Sequence, residues 1–113
     1  MKVIVAGSRS FVNYALMKAE LDALLKKDDV IICGMAKGAD LNGKRYAKER
    51  GLKVIEMPAD WKKYGKSAGY KRNMEMAQIA DCSIIFWDGK SPGSRHMINI
   101  SKNMGLKTIV KMF

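Results

Sequence analysis

The sequence predicts an α/β fold: a doubly wound parallel sheet of five strands in the order 3-2-1-4-5. Three observations carry this. Short runs rich in Val and Ile, such as KVIVA at 2–6 and VIIC at 30–33, lack the polar alternation of a half-solvated strand, so both faces are buried. Between them lie longer segments with apolar residues at helical spacing. The strands end in small-residue loops that run straight into those segments, which makes each connection a crossover to a parallel neighbour.

Lys2–Ala6 forms the first strand and ends at Gly7. From Asn13 to Lys26, Leu16, Met17, Leu21, Leu24 and Leu25 recur on one helical face, with Asn13 as N-cap. Val30–Cys33 is the second strand; Gly38–Arg50 is a helix stopped by Gly51 at the C′ position. Lys53–Met57 is the third strand, closed by Pro58. Ala59–Gly69 has no clean period and is expected to be a surface loop. Tyr70–Ala80 is a helix with Met74, Ala77 and Ile79 expected on its inner side. Cys82–Trp87 is the fourth strand, Asp88–Gly93 a glycine-rich turn, Ser94–Met104 the last helix and Lys107–Lys111 the fifth strand. The result is a small Rossmann-like domain occupying residues 1–113, without repeat, linker or low-complexity tract.

Composition bounds what such a domain does. At 113 residues the chain has room for one core, and 48% apolar with 28% charged residues is a globular rather than a disordered composition. No apolar run reaches the roughly 20 residues that span a bilayer, and no signal-peptide pattern follows Lys2, so a cytoplasmic protein without membrane contact is expected. Cys33 and Cys82 make neither a disulfide framework nor a zinc site. The 21 Lys and Arg against 11 Asp and Glu give a net charge of +10, which favours anionic partners.

In a sheet of this order the ligand crevice lies at the carboxyl ends of the strands, between strands one and four. Strand one delivers Gly7-Ser8-Arg9-Ser10, strand two Gly34-Met35-Ala36-Lys37-Gly38-Ala39-Asp40, and strand four Trp87-Asp88-Gly89-Lys90-Ser91-Pro92-Gly93-Ser94. Small residues let backbone N–H groups approach an anion, and the following helix N-terminus adds partial positive charge. Gly7, Ser8 and Arg9 are candidates for one phosphate; Gly34, Lys37 and Gly38, with the helix opening at Ala39, are candidates for another part of the same ligand. A glycine at a strand-to-helix turn serves any α/β domain, so one such loop would be read as structural; two with adjacent hydroxyl and basic groups favour a ligand. Neither loop is a GxGxxG fingerprint or a Walker A loop, so NAD and P-loop chemistry have no motif here.

The segments GSRSFVNY (7–14), GMAKGAD (34–40), RYAKERG (45–51), PADWKKYGKSAGYKRNMEM (58–76) and FWDGKSPGSRHMI (86–98) together resemble the YspA-type branch of the SLOG superfamily, in order and spacing along essentially the whole chain. The resemblance implies a Rossmann-like domain of bacteria and their phages that binds nucleotides or nucleotide-derived ligands. Its wider relatives include phosphoribohydrolases, a single-strand DNA-binding protein of natural transformation and sensor domains of defence systems. Gly7-Ser8-Arg9 matches the family's phosphate-side motif unchanged. The second loop departs from the usual GGARGAD: Met35 replaces a glycine, and Lys37 replaces an arginine and with it the bidentate fork. Pro92-Gly93-Ser94-Arg95 stands where SRGTK is usual. The PGGxGTxxE motif of the phosphoribohydrolases, whose glutamate does the chemistry, is absent; Asp40 stands near the corresponding place. The family analogy also suggests a homo-oligomer, which nine methionines permit.

The expected function is therefore binding of a phosphate-containing, nucleotide-derived small molecule, with its base near Trp61 or Trp87. Arg72 and Asn73, opening a helix, are expected to face the ligand, and Asp88 and Gly89 to line its site. Two alternatives remain. One is hydrolysis of a nucleotide N-glycosidic bond with Asp40, Asp88 or Glu75 as acid or base. The other is binding of single-stranded nucleic acid, in which Trp61 and Tyr64 stack bases among Lys62, Lys63 and Lys66. His96 is the single histidine, so no second one completes a triad or metal set; neither cofactor nor metal is implied.

Overall fold

The computed structural model describes residues 1–34 and 38–113. Five parallel strands, β1 (Lys2–Gly7), β2 (Val30–Cys33), β3 (Lys53–Glu56), β4 (Cys82–Trp87) and β5 (Lys107–Met112), form one sheet in the order β3-β2-β1-β4-β5. The expected order 3-2-1-4-5 is the order found. Strand β1 is the hub: Ile4 lies opposite Ile32 on one side and Ser83 on the other, and Gly7 opposite Phe86.

The pleat of β1 explains why the sheet has helices on both faces. Val3 and Val5 point into a core with Phe11, Met17, Leu21, Tyr46 and Phe86, under helices α1 (Tyr14–Leu24) and α2 (Ala39–Arg50). Ile4 and Ala6 point the other way, into a core with Met76, Ala77, Met97 and Ile98, under α4 (Ala68–Ile79) and α5 (Pro92–Asn103). A strand buried on both faces has no polar side to show, which is the physical content of the KVIVA run. Burying the β-branched side chains of β1 is worth roughly 1.5–3 kcal/mol each.

Local signals set the helix ends. The Asn13 side chain accepts from Leu16 N at 3.1 Å and caps α1. Gly51 closes α2 in the left-handed conformation at φ 68°. Pro92 opens α5 at a first-turn position, where its missing N–H costs nothing, so this helix starts earlier than the expected Ser94. Helices α1 and α2 are tied together by Tyr14 Oη donating to Glu49 at 2.6 Å, and by Tyr46 Oη and Arg50 Nη2 both donating to Asp22 at 2.6 Å.

Two expectations are corrected. Residues 59–69 are not a plain loop: Trp61–Tyr64 forms a one-turn helix, α3, Gly65–Ser67 a 3₁₀ turn, and α4 already begins at Ala68. The Asp60 carboxylate caps α3 by accepting from Lys63 N at 3.1 Å, and Gly65 at φ 58° ends it. A helix this short has no buried residue, and so leaves no period to read. On α4, Met74 and Ile79 face outward; Asn73, Met76 and Ala77 are the residues turned to the core.

Candidate functional site

The carboxyl ends of β1 and β4 open into a cleft of about 490 Å³. One wall is the loop after β1, with Gly7, Ser8, Arg9 and Ser10; the opposite wall is the loop from β4 into α5, with Asp88, Ser91, Gly93 and Ser94. Asp40 in the first turn of α2 borders it. Trp61 and Lys66 rise over it from the α3 region, and Gly69, Tyr70, Arg72 and Asn73 come from the start of α4. Three helices, α2, α4 and α5, thus begin at this cleft; of their first N–H groups, Ala39 N donates to Ser8 O at 3.4 Å and Ala68 N to Gly65 O of the preceding 3₁₀ turn, while Pro92 has none.

Close backbone approach builds the β1 wall. Ser8 N donates to Phe86 O at 2.8 Å, and a Cβ on Gly7 would lie 2.1 Å from that same oxygen. Gly38 sits at φ 75°, where a Cβ would lie 2.4 Å from Ser8 O. Only glycine lets the β1 and β2 loops touch in this way. Ser8, 1% exposed, accepts from Asp88 N at 3.0 Å and holds the β4 loop through its hydroxyl.

Asp88 is an organiser of that loop. Its carboxylate accepts from Lys90 N at 2.8 Å, Ser91 N at 2.9 Å and Ser91 Oγ at 3.0 Å. These donors, the Lys90 and Ser91 backbone foremost, pull its pKa down to about 2. A carboxylate so acidic and so fully engaged neither gives nor takes a proton near neutral pH. Glu75 is exposed on α4 and does not line the cleft. Asp40, 4% exposed, is the remaining cleft carboxylate among the described residues.

The cationic side is divided. Arg9 is exposed at the cleft and its guanidinium has no hydrogen bond or ion pair among the described residues. Arg72 is anchored: Nη1 donates to Gly34 O at 2.6 Å and Nε to Asn73 Oδ1 at 3.1 Å. Gly34 has no side chain for this reason, since a Cβ there would lie 2.2 Å from Nη1. Three guanidinium N–H groups remain for a ligand.

The sequence model of the YspA, cpYpsA-related SLOG family matches residues 1–64. Gene 61 protein of Mycobacterium phage D29 is 32% identical over 117 residues, covering 96% of this chain and 94% of the phage protein. The chain belongs to the YspA, cpYpsA-related SLOG family. The fold of this SLOG chain is also that of DNA processing protein A from Streptococcus pneumoniae, with a TM-score of 0.79 at 21% identity. That match covers 96% of the SLOG chain and 49% of the solved one, so the chain spans about half the length of that protein.

Of the candidate residues, Gly7, Ser8, Arg9, Asp40, Trp61, Arg72, Asn73 and Asp88 line the cleft. Gly34 and Gly38 sit just behind it as the bare backbone on which Arg72 and the Ser8 loop rest. Lys37 lies outside the described residues. Gly89 makes the turn after Asp88 at φ 83°, away from the cleft lining. Trp87 is also outside that lining: its Nε1 donates to Ser91 O at 3.1 Å and the Arg95 guanidinium lies 5.6 Å from its ring centroid, so it braces the loop from behind. Lys66, expected beside a nucleic-acid strand, also lines the cleft, and Tyr70, Ser91, Ser94 and Met97 join the site without having been singled out. Ser91 and Ser94 were legible as polar residues in a strand-end loop; Met97 follows Ser94 at i+3 on α5 and is found only once the helix is placed. Among the described residues no group of three or more His, Cys, Asp or Glu is placed to hold a metal, and no helix is long and apolar enough to cross a membrane.

Proposed function

We propose that this chain binds a nucleotide or nucleotide-derived ligand in the β1–β4 cleft, with its phosphate between Arg9, Arg72 and the first turn of α5 and its base against Trp61 or Tyr70. The observation that carries the reading is the convergence of three helix N-termini with an unpaired arginine and a half-committed one on a single cleft. Trp61 is 52% exposed, and its indole lies over bare Gly69, where a Cβ would be 3.4 Å from the ring. That leaves an aromatic face for stacking at the rim. SLOG family membership and the likeness to a protein named for DNA processing both point to ligands built from nucleotides.

Calorimetry and thermal shift against mononucleotides, ADP-ribose and cyclic nucleotides test this. At least one should raise the melting temperature, and Arg9→Ala should weaken it by about tenfold, the worth of one charge-assisted contact. A panel without any stabilising member, with Arg9→Ala indistinguishable from the parent, would reject the reading.

A second reading is single-stranded nucleic acid, favoured by Lys62, Lys63, Lys66 and Lys71 around exposed Trp61 and Tyr64, with the Lys71 Nζ 4.7 Å from the Tyr64 ring centroid. Its signature is an affinity that falls linearly with salt on logarithmic axes. Turnover of an N-glycosidic bond would fall to Asp40, given how Asp88 and Glu75 are placed. Release of free base, abolished by Asp40→Asn, is the test for that activity.

A further inference from the structure

His96 stands on α5 outside the cleft lining, yet it ends a chain of hydrogen bonds that begins at the anion side. Arg72 Nη1 donates to Gly34 O and Nε to Asn73 Oδ1; Asn73 Nδ2 donates to Gly93 O at 3.2 Å and meets His96 Nδ1 at 3.2 Å. Asn73 is 6% exposed, so its amide has little water to turn to. The chemistry of the partners permits one arrangement. Arg72 Nε can only donate and Gly93 O can only accept, so the Asn73 oxygen must face the arginine and its nitrogen the carbonyl. Both amide hydrogens are then used, one on Gly93 O and one on His96 Nδ1, and the imidazole must be neutral with its proton on Nε2.

We propose that His96 is a positioning residue for Arg72: as a neutral acceptor it locks the Asn73 amide, which holds the guanidinium toward the cleft, and protonation of His96 releases that hold. A protonated Nδ1 can no longer accept from Asn73. If the amide flips to meet it, Asn73 turns its NH₂ toward Arg72 Nε–H and its oxygen toward Gly93 O, two mismatched pairs. The inference rests on the reading of the cleft as an anion site. The groups facing His96 from α4 are Tyr70, edge-on at 4.5 Å between ring centroids, and Asn73, with Arg72 behind it. On its own helix Arg95 turns its guanidinium to Trp87. Burial alone holds the imidazole below its ordinary value of 6.5, with no charged neighbour contributing, so the neutral form prevails at pH 7.

His96 is the single histidine of the chain, which makes the test direct. Nitrogen-15 NMR of the full protein across about pH 5 to 8 reads its tautomer and titration together with the Arg72 Nε–H signal. Calorimetry with sulfate, whose charge is constant over that range, reads the cleft. The expected result is an Nε2–H imidazole above its pKa and an Arg72 Nε–H signal that shifts or broadens as His96 protonates. Sulfate affinity should fall by about tenfold over the same step. His96→Gln, which keeps an acceptor and cannot protonate, should retain sulfate affinity and lose its pH dependence; His96→Phe should bind as the protonated parent does. An Nδ1–H tautomer, or an Arg72 signal indifferent to the titration, would overturn the proposal. Both readouts use the unmodified protein and decide it even where a variant fails to fold. Absence of sulfate binding at every pH would remove the anion-site reading instead, leaving the NMR signals to decide whether the relay exists.

Discussion

The hydroxyl oxygens of Ser8 and Ser91 lie 2.9 Å apart, joining the loop after β1 to the loop after β4 across the floor of the cleft. Ser8 Oγ also accepts from Asp88 N, so one buried hydroxyl fixes both walls. Ser8→Ala leaves the Asp88 N–H without its acceptor and should cost about 1–3 kcal/mol in a urea unfolding experiment. It should also weaken sulfate binding, because the walls of the proposed anion site are no longer tied.

Gly34→Ala separates binding from folding. A Cβ at Gly34 collides with the Arg72 guanidinium, which is a movable side chain, whereas a Cβ at Gly7 collides with the Phe86 carbonyl in the sheet. We expect Gly34→Ala to lose sulfate affinity to the level of Arg72→Ala while stability falls by less than about 1.5 kcal/mol. Gly7→Ala should lower stability by about 1–3 kcal/mol or more, since the sheet backbone has nowhere to move. Chemical denaturation and calorimetry on the same samples distinguish the two.

Trp61→Ala tests the base side. Half of the indole is already in water and α3 has no buried residue, so stability should change by less than about 1 kcal/mol. Affinity for a nucleotide should fall by about 1–3 kcal/mol, the worth of one stacked base. Sulfate affinity should stay as it is. An equal loss for both ligands would place Trp61 in the packing of the cleft instead.

Stability should decline at both ends of the pH scale. Asp88 is drawn from an ordinary 3.8 to about 2 in the folded state, so its contribution is complete above 3.8 and is lost as pH falls toward 2. Tyr14 and Tyr46 are raised from 10 to about 12, by burial first and then by the hydrogen bonds to Glu49 and Asp22. The unfolded phenols ionise first, so their contribution is complete below 10 and is lost as pH rises toward 12. Melting temperatures of Asp88→Asn and of Tyr46→Phe against pH should flatten the acid and alkaline limbs respectively.

Much of the fold was legible because buried parallel strands leave continuous apolar runs and capped helices leave end signals: KVIVA, VIIC and CSIIFW, and Asn13 and Gly51. The α3 region was not, because a single turn held by Asp60 and Gly65 buries nothing and prints no period. The inner face of α4 is not legible for a related reason. Met74 and Ile79 are as apolar as Met76, and only the angle at which the helix meets the sheet chooses between them.

The amino-acid sequence by itself determined the alternation of elements, the parallel sheet that this alternation and the crossover rule imply, and which small-residue loops stand at the carboxyl ends of the strands, because these depend on local chemistry and chain handedness. Tertiary structure decided which polar groups in those loops stay available. Asp88 was drawn into its own loop by Ser91 and Lys90, Trp87 was turned behind Ser91, and Arg72 was set against Gly34 from 38 residues away. The Arg72–Gly34 pairing joins chain segments brought together only by the packed sheet, and no period or motif encodes the distance between them; the Asp88 and Trp87 contacts span four residues or fewer, in a loop that the distant Ser8 hydroxyl ties to β1.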